Sequence, residues 1–158
     1  MESDSSALDA IDRRILARLQ RDATIQNQQL AAEVGLSPSP CHRRVRALQD
    51  TGIIRGYVAL LDGPAVGAGF LAYVDVRLER QAVEYSERFE KAALARAEIL
   101  ECVRVTGDYD YLLKVATRDI EAFHRFLIDF LTRIKGIANT RTSIALNRVK
   151  ETTALPLG

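Results

Sequence analysis

Two short stretches hold residues whose types and spacing could do chemistry. The first runs from Ser37 to Tyr57, SPSPCHRRVRALQDTGIIRGY, where Arg43, Arg44, Arg46 and Arg55 outweigh the single Asp50. A guanidinium pairs bidentately with guanine or with phosphate, and the hydroxyls of Ser37 and Ser39 and the imidazole of His42 add further polar contacts. The second stretch is Thr106-Gly107-Asp108-Tyr109-Asp110-Tyr111. A glycine turn exposes backbone N–H groups that can hold a carboxylate, and the neighbouring aspartates can hold an ammonium. Those are the two ends of an amino acid. The same six residues would also make an ordinary hairpin turn.

For the arginines to act together they must project from one side of a firm element. Residues 25–57 read as a helix, a tight turn, a second helix and a short strand. Asn27 is placed to cap the first helix, which carries Leu30, Ala31 and Val34 on one side. Gly35 ends it where a residue without Cβ takes the left-handed conformation. Ser37 is placed to cap the second helix, with Pro38 at its first position and Pro40 still in its first turn. Gly52 stops it. At 100° per residue, Cys41, Val45 and Leu48 form an apolar stripe. Ser39, Arg43, Arg46 and Asp50 point the opposite way, and His42 and Arg44 lie on the flanks. An ordinary helix pair with a solvated basic face would show the same arginines. The preceding helix, the glycine turn and the Ser-Pro start favour a helix-turn-helix whose second helix enters the major groove of DNA.

Upstream, Met1–Ser6 is polar and expected to be disordered. Asp9 is placed to cap a helix through about Arg21, with Asp12 in its first turn and Leu8, Ile11, Ile15, Leu16 and Leu19 at helical spacing. Three helices then enclose one small core. Residues 53–61 alternate loosely and read as a connecting strand, followed by the glycine-rich linker DGPAVGAG, which lacks the spacing and context of a phosphate-cradling loop.

From Phe70 the texture changes. Residues 70–79 alternate as a strand, 84–96 form an amphipathic helix with Phe89, Ala92, Ala93 and Ala97 inward, and 99–106 alternate again. Residues 111–117 form the next strand. Asp119 caps a helix through about Lys135 with a thick apolar face, and residues 137–149 form the last strand. The order β-α-β-β-α-β is that of a ferredoxin-like split βαβ sheet with both helices on one side. The fold class is therefore α+β: a helix-turn-helix domain over 1–52, a connecting strand and linker over 53–69, and a ferredoxin-like domain over 70–158. The other sheet face, carrying residues such as Val103, Val105, Leu113 and Val115 or their neighbours, is left open. An open apolar face is usually covered by a partner, which points to a homodimer formed sheet to sheet. Two reading helices about 34 Å apart would then address two half-sites of a roughly palindromic duplex.

Composition narrows the rest. Apolar residues make up 47% of the 158 residues and charged residues 27%, at a net charge of +1, so bulk charge does not announce a polycation. The basic excess is local. Cys41 and Cys102 lack His or Cys neighbours at metal spacing and read as small buried reduced thiols. Together with the lack of a signal peptide they indicate the cytoplasm, and no apolar run reaches membrane-spanning length. No Ser-His-Asp or Cys-His set is available from His42 and His124, and a turn desolvates Asp108 and Asp110 too little for acid–base work. An enzyme is therefore not expected, and neither a metal nor a cofactor is called for. The competing reading is an amino-acid sensor or interaction protein that has lost DNA binding.

The run LSPSPCHRRVRALQDTGIIRGY, within residues 8–62, closely resembles the N-terminal half of the Lrp/AsnC (leucine-responsive/asparagine-type) bacterial transcription regulators. The likeness continues through ECVRVTGDYDYLLKV and NTRTSIAL, covering nearly the whole chain. It implies a helix-turn-helix of the winged kind, an amino-acid effector bound at contacts between subunits, and dimers that assemble further, commonly into octamers. It also implies that Thr106, Gly107, Asp108, Tyr109 and Asp110 form the effector site, joined by Thr140, Arg141, Thr142 and Ser143. Ser143 stands where the leucine-responsive member has an aromatic residue. That reshapes the pocket and leaves leucine and a polar or larger amino acid both open.

Overall fold

The structure, a computed structural model, describes residues 8–79 and 83–157. The polar arm Met1–Ser6 lies outside them. The chain separates into two compact units, residues 1–59 with 150–158, and residues 60–149. The last residues therefore do not stay with the C-terminal domain, as the sequence led us to expect. Leu157 packs against the helical core instead.

The first unit is three helices, α1 (Ala10–Leu19), α2 (Asn27–Val34) and α3 (Pro38–Asp50). Asp9 caps α1 through a reciprocal box with Asp12: its carboxylate accepts from the N–H groups of Ile11 and Asp12, both at 2.8 Å. The stripes close on one another, with Ile15, Leu16, Leu30, Ala31, Val34, Cys41 and Leu48 buried. Residues 53–61 do not form a strand. They are irregular, and Val58, Leu60 and Leu61 are 83%, 72% and 70% exposed. Alternation alone does not make a strand, because its N–H and C=O groups need a neighbour to pair with.

The second unit is a four-stranded antiparallel sheet in the order β2-β3-β1-β4. Its strands are β1 (Phe70–Leu78), β2 (Ile99–Arg104), β3 (Tyr111–Thr117) and β4 (Ile137–Ile144), and its helices are α4 (Val83–Leu94) and α5 (Ile120–Asp129). Residues paired across strands share a face. Val74 faces Leu113, and Ala72 faces Val115. All four are buried with Phe89, Phe123, Phe126 and Phe130. Leu113 and Val115 thus belong to the core, not to the open face. The register puts Tyr73, Asp75, Arg77, Val103, Leu112, Lys114, Arg141 and Ser143 on the open side. That face is amphipathic, with Tyr73 and Val103 each 37% exposed among the charges.

Several ends differ from expectation. The last helix stops at Asp129, and a 3-10 turn over Leu131–Arg133 follows. The last strand ends at Ile144, and Ala97 lies exposed beyond α4. Cys102 is exposed on the edge strand β2, whereas Cys41 is buried. Partial desolvation and then Glu90 push the Cys102 thiol up, and burial does the same to Cys41.

Gly136, which turns the chain into β4, has φ 98°, and a Cβ there would overlap the Tyr85 ring. Gly136→Ala is expected to cost about 2–4 kcal/mol in denaturant melts, from overpacking plus backbone strain. Gly52→Ala is the control. Gly52 has φ 75° but nothing within 4 Å of an added Cβ, so only the backbone cost of about 1 kcal/mol applies.

Candidate DNA interface and effector loop

The second helix of the pair is placed by its turn. Gly35 adopts φ 75°, and the N–H of Leu36 closes the turn on the carbonyl of Ala31 at 2.8 Å. Asn27 does not cap α2; Gln26 holds that position without a side-chain bond. Asn27 Nδ2 reaches across to donate to the carbonyl of Pro38 at 2.8 Å, fixing the start of α3. Ser37 stands at the N-cap of α3, but its hydroxyl makes no capping bond. Ser37 is exposed at a helix N-terminus, where the free N–H groups favour an anion.

Ser37, Ser39, His42, Arg43 and Arg46 are all outside the buried core, and among the described residues neither Arg43 nor Arg46 has an ion-pair partner. Arg44 differs. It lies on the flank of the buried stripe, and its Nη1 donates to Asp9 Oδ2 at 2.7 Å and to Asp12 Oδ1 at 2.8 Å. The expected third DNA-facing guanidinium is thus turned inward on α1. It ties the reading helix to the capped end of its neighbour, and the Asp12 and Asp9 bonds raise its pKa.

That cluster has a pH consequence. The Asp12 N–H and then Arg44 hold the Asp9 carboxyl below its ordinary range. A carboxyl lower in the folded than in the unfolded state stabilises the fold above its unfolded value, near 4, and loses that effect as pH falls through the folded one. Melting temperature is expected to be flat from about pH 7 to 5 and to drop below about pH 4. Asp9→Asn, which keeps a capping side chain but not the charge, is expected to make the drop shallower. Asp22 and Asp119, also held low, keep it from vanishing.

In the second unit the turn after β2 has Gly107 at φ 112°. Its two aspartates part company. The Asp110 N–H donates to the Val76 carbonyl at 2.9 Å, and its carboxylate accepts from the Leu78 N–H at 2.7 Å. Asp110 therefore braces β1 through one of its carboxylate oxygens while it borders a groove beside the turn. Asp108 remains exposed. Gly107, Asp108 and Asp110 border a groove of about 470 Å³ shared with Arg77, Glu79 and Asn139. Thr106, Tyr109 and residues 140–143 do not line it. Arg141 instead donates to Asp75 Oδ2 at 2.9 Å, and its guanidinium lies 4.9 Å from the Tyr109 ring centre. Ser143 shares Arg141's face opposite Tyr73, while Thr140 and Thr142 point to the helix side opposite Val76 and Val74.

Sequence reasoning missed Arg77, Glu79 and Asn139. Arg77 shares the alternate positions of Tyr73 and Asp75 along residues 70–79, but its pairing with Asn139 follows only from the register of β1 with β4. Among the described residues no three His, Cys, Asp or Glu gather as a metal would need, and no helix is long and apolar enough to cross a membrane.

Residues 8–55 match a family described as winged helix-turn-helix DNA-binding, and residues 71–155 match the Lrp/AsnC ligand binding domain. The chain is 43% identical over 148 residues to the leucine-responsive regulatory protein of Escherichia coli strain K12, covering 94% of this chain and 90% of that protein. Among solved structures it resembles a transcriptional regulator of Neisseria meningitidis in complex with L-Met, at TM-score 0.90 and 39% identity, covering 94% and 96% of the two chains. It also resembles an AsnC family transcriptional regulator of Agrobacterium tumefaciens, at TM-score 0.90 and 37% identity with the same coverage. A feast or famine regulatory protein of M. tuberculosis complexed with L-methionine aligns at TM-score 0.82 and 30% identity, covering 94% and 99%.

Proposed function

The chain belongs to the Lrp/AsnC family of transcription regulators, and from that premise we propose how its residues divide the work. It is a DNA-binding regulator that responds to an amino acid. Arg43 and Arg46 read the major groove, with Ser37, Ser39 and His42 beside them on bases or phosphates. Arg44 holds the reading helix in place. The observation that supports this division is the contrast along one helix: Arg44 is spent on Asp9 and Asp12, while Arg43 and Arg46 face outward without ion-pair partners among the described residues.

Two copies join through the open sheet face, where Tyr73, Val103 and Leu112 are interleaved with Asp75, Lys114 and Arg141. A two-fold axis lets such a mixed face meet itself. The exposed Val58, Leu60 and Leu61 offer the second copy further apolar surface. The dimer addresses a roughly palindromic duplex and assembles further into even-numbered oligomers such as an octamer. The amino acid binds in the groove at Gly107, between subunits. The Gly107 turn and Arg77 take its carboxylate, and Asp108 takes its ammonium. Its differential affinity for two arrangements sets how far it can shift assembly and DNA binding. The protein acts in the cytoplasm by binding and not by catalysis.

A thermal-shift screen of the twenty amino acids on the full chain tests this reading, followed by sedimentation with the hits. At least one is expected to raise the melting temperature and to change assembly or DNA affinity. No change with any of the twenty defeats it.

A further inference from the structure

The chain passes between its two compact units twice, near residue 60 and again near residue 150. The second passage ends in an anchored tail. Gln20, at the C-terminal end of α1, accepts from the Leu155 N–H through Oε1 at 2.6 Å. Its Nε2 donates to the Leu155 carbonyl at 3.1 Å. One side-chain amide thus pairs both backbone groups of one tail residue, as a neighbouring strand would. Pro156 favours the extended conformation at Leu155 that this pairing requires. One residue further on, Leu157 is half-buried against the helical core.

At its other end the segment leaves the sheet where the Ala145 N–H donates to the Leu71 carbonyl at 3.0 Å. Between these anchors Leu146 and Val149 are 96% and 94% exposed. Apolar burial is therefore concentrated at the far end, where Leu157 meets the helical core beside the Gln20 anchor at the end of α1. Through Arg44, α1 is the helix that carries the ion pairs to α3.

We propose that residues 145–157 are a strap that couples the effector unit to the reading helix, with Gln20 and Leu157 as positioning residues. The strap adds a second connection to the one near residue 60 and so limits the arrangements the two units can take. Its regulatory role, in which releasing it uncouples the amino acid from DNA binding, rests on the function proposed above. The mechanical role does not.

The test measures both. The full chain is labelled with a donor and acceptor at Gln28→Cys and Cys102 and diluted into unlabelled protein, and the spread of transfer efficiencies is recorded without amino acid. Gln20→Ala, Leu157→Ala and a chain ending at Lys150 are expected to broaden it, and Leu157→Met to restore the parental width. Unchanged widths in all three would overturn the strap. DNA affinity is then read with and without the amino acid found in the screen. The released variants are expected to keep basal affinity within about threefold and to lose at least about threefold of the effector-induced change. If the widths broaden and the effector-induced change stays within experimental error of the parent, the regulatory role is overturned. If the parent itself shows no effector response, the proposed function fails, while the transfer widths still decide the strap.

Discussion

Replacing Arg43 and Arg46 together by alanine is expected to weaken binding to a specific duplex about a hundredfold or more, with the melting temperature nearly unchanged. Neither side chain is buried or ion-paired among the described residues, so little folding energy leaves with them. Each bidentate arginine contact to a base is worth about 1–3 kcal/mol, and two per subunit compound. The salt slope separates their partners. Removing an arginine from a phosphate lowers the slope of log affinity against log salt by about 0.9, whereas removing one from a base edge relaxes sequence preference. Arg44→Ala should behave in the opposite way. It strips Asp9 and Asp12 of their partner, so its first effect is on melting, and its effect on DNA follows from a loosened helix. If Arg44→Ala cuts affinity and salt slope with no change in melting, the division of labour among the three arginines is wrong.

Asp108→Ala is expected to weaken effector binding about 10–100-fold, because a hydrogen bond to a charged group contributes about 1.5–3 kcal/mol. DNA binding without the amino acid should be unchanged. Asp110→Ala gives a different signature. Its carboxylate caps the Leu78 N–H, so removing it should lower stability before it touches the effector. Calorimetric titration with the amino acid from the screen, beside melting curves of both variants, measures the contrast. Equal loss of effector binding at equal stability in the two variants would return Asp110 to the site.

The helical unit was the more legible part of the sequence. A 3.6-residue period fixes which side of a helix is buried, so the angular places of Cys41, Leu48, Arg43 and Arg46 followed from their numbers alone. The same arithmetic put Arg44 on a flank but could not supply its partners, because Asp9 and Asp12 lie on another helix. Asn27 misled for the same reason: an asparagine at a helix start suits a cap, and only the fold brings the Pro38 carbonyl within its reach. Residues 53–61 show the limit of alternation, which describes a strand's two faces but not whether a neighbour exists to pair with. The 3-10 turn after α5 was hidden because apolar residues at i+3 and i+4 satisfy either helix over one turn.

The effector loop was legible as a turn and not as a pocket. Its sequence contains two aspartates two residues apart; both border the groove, and only the fold shows that one of them also accepts from the backbone of β1. Arg77, Glu79 and Asn139 come from strands distant in sequence, so no local pattern could gather them around Gly107.

The central claim is that two copies of α3 lie in successive major grooves with Arg43 and Arg46 on base edges. Methylation interference on a duplex selected by the full chain tests it most directly. Methyl groups at guanine N7 should block binding in two clusters about one helical turn apart, and the Arg43→Ala, Arg46→Ala protein should lose that sensitivity along with its affinity. Interference confined to minor-groove positions, or a single cluster with no counterpart one turn away, would contradict the account.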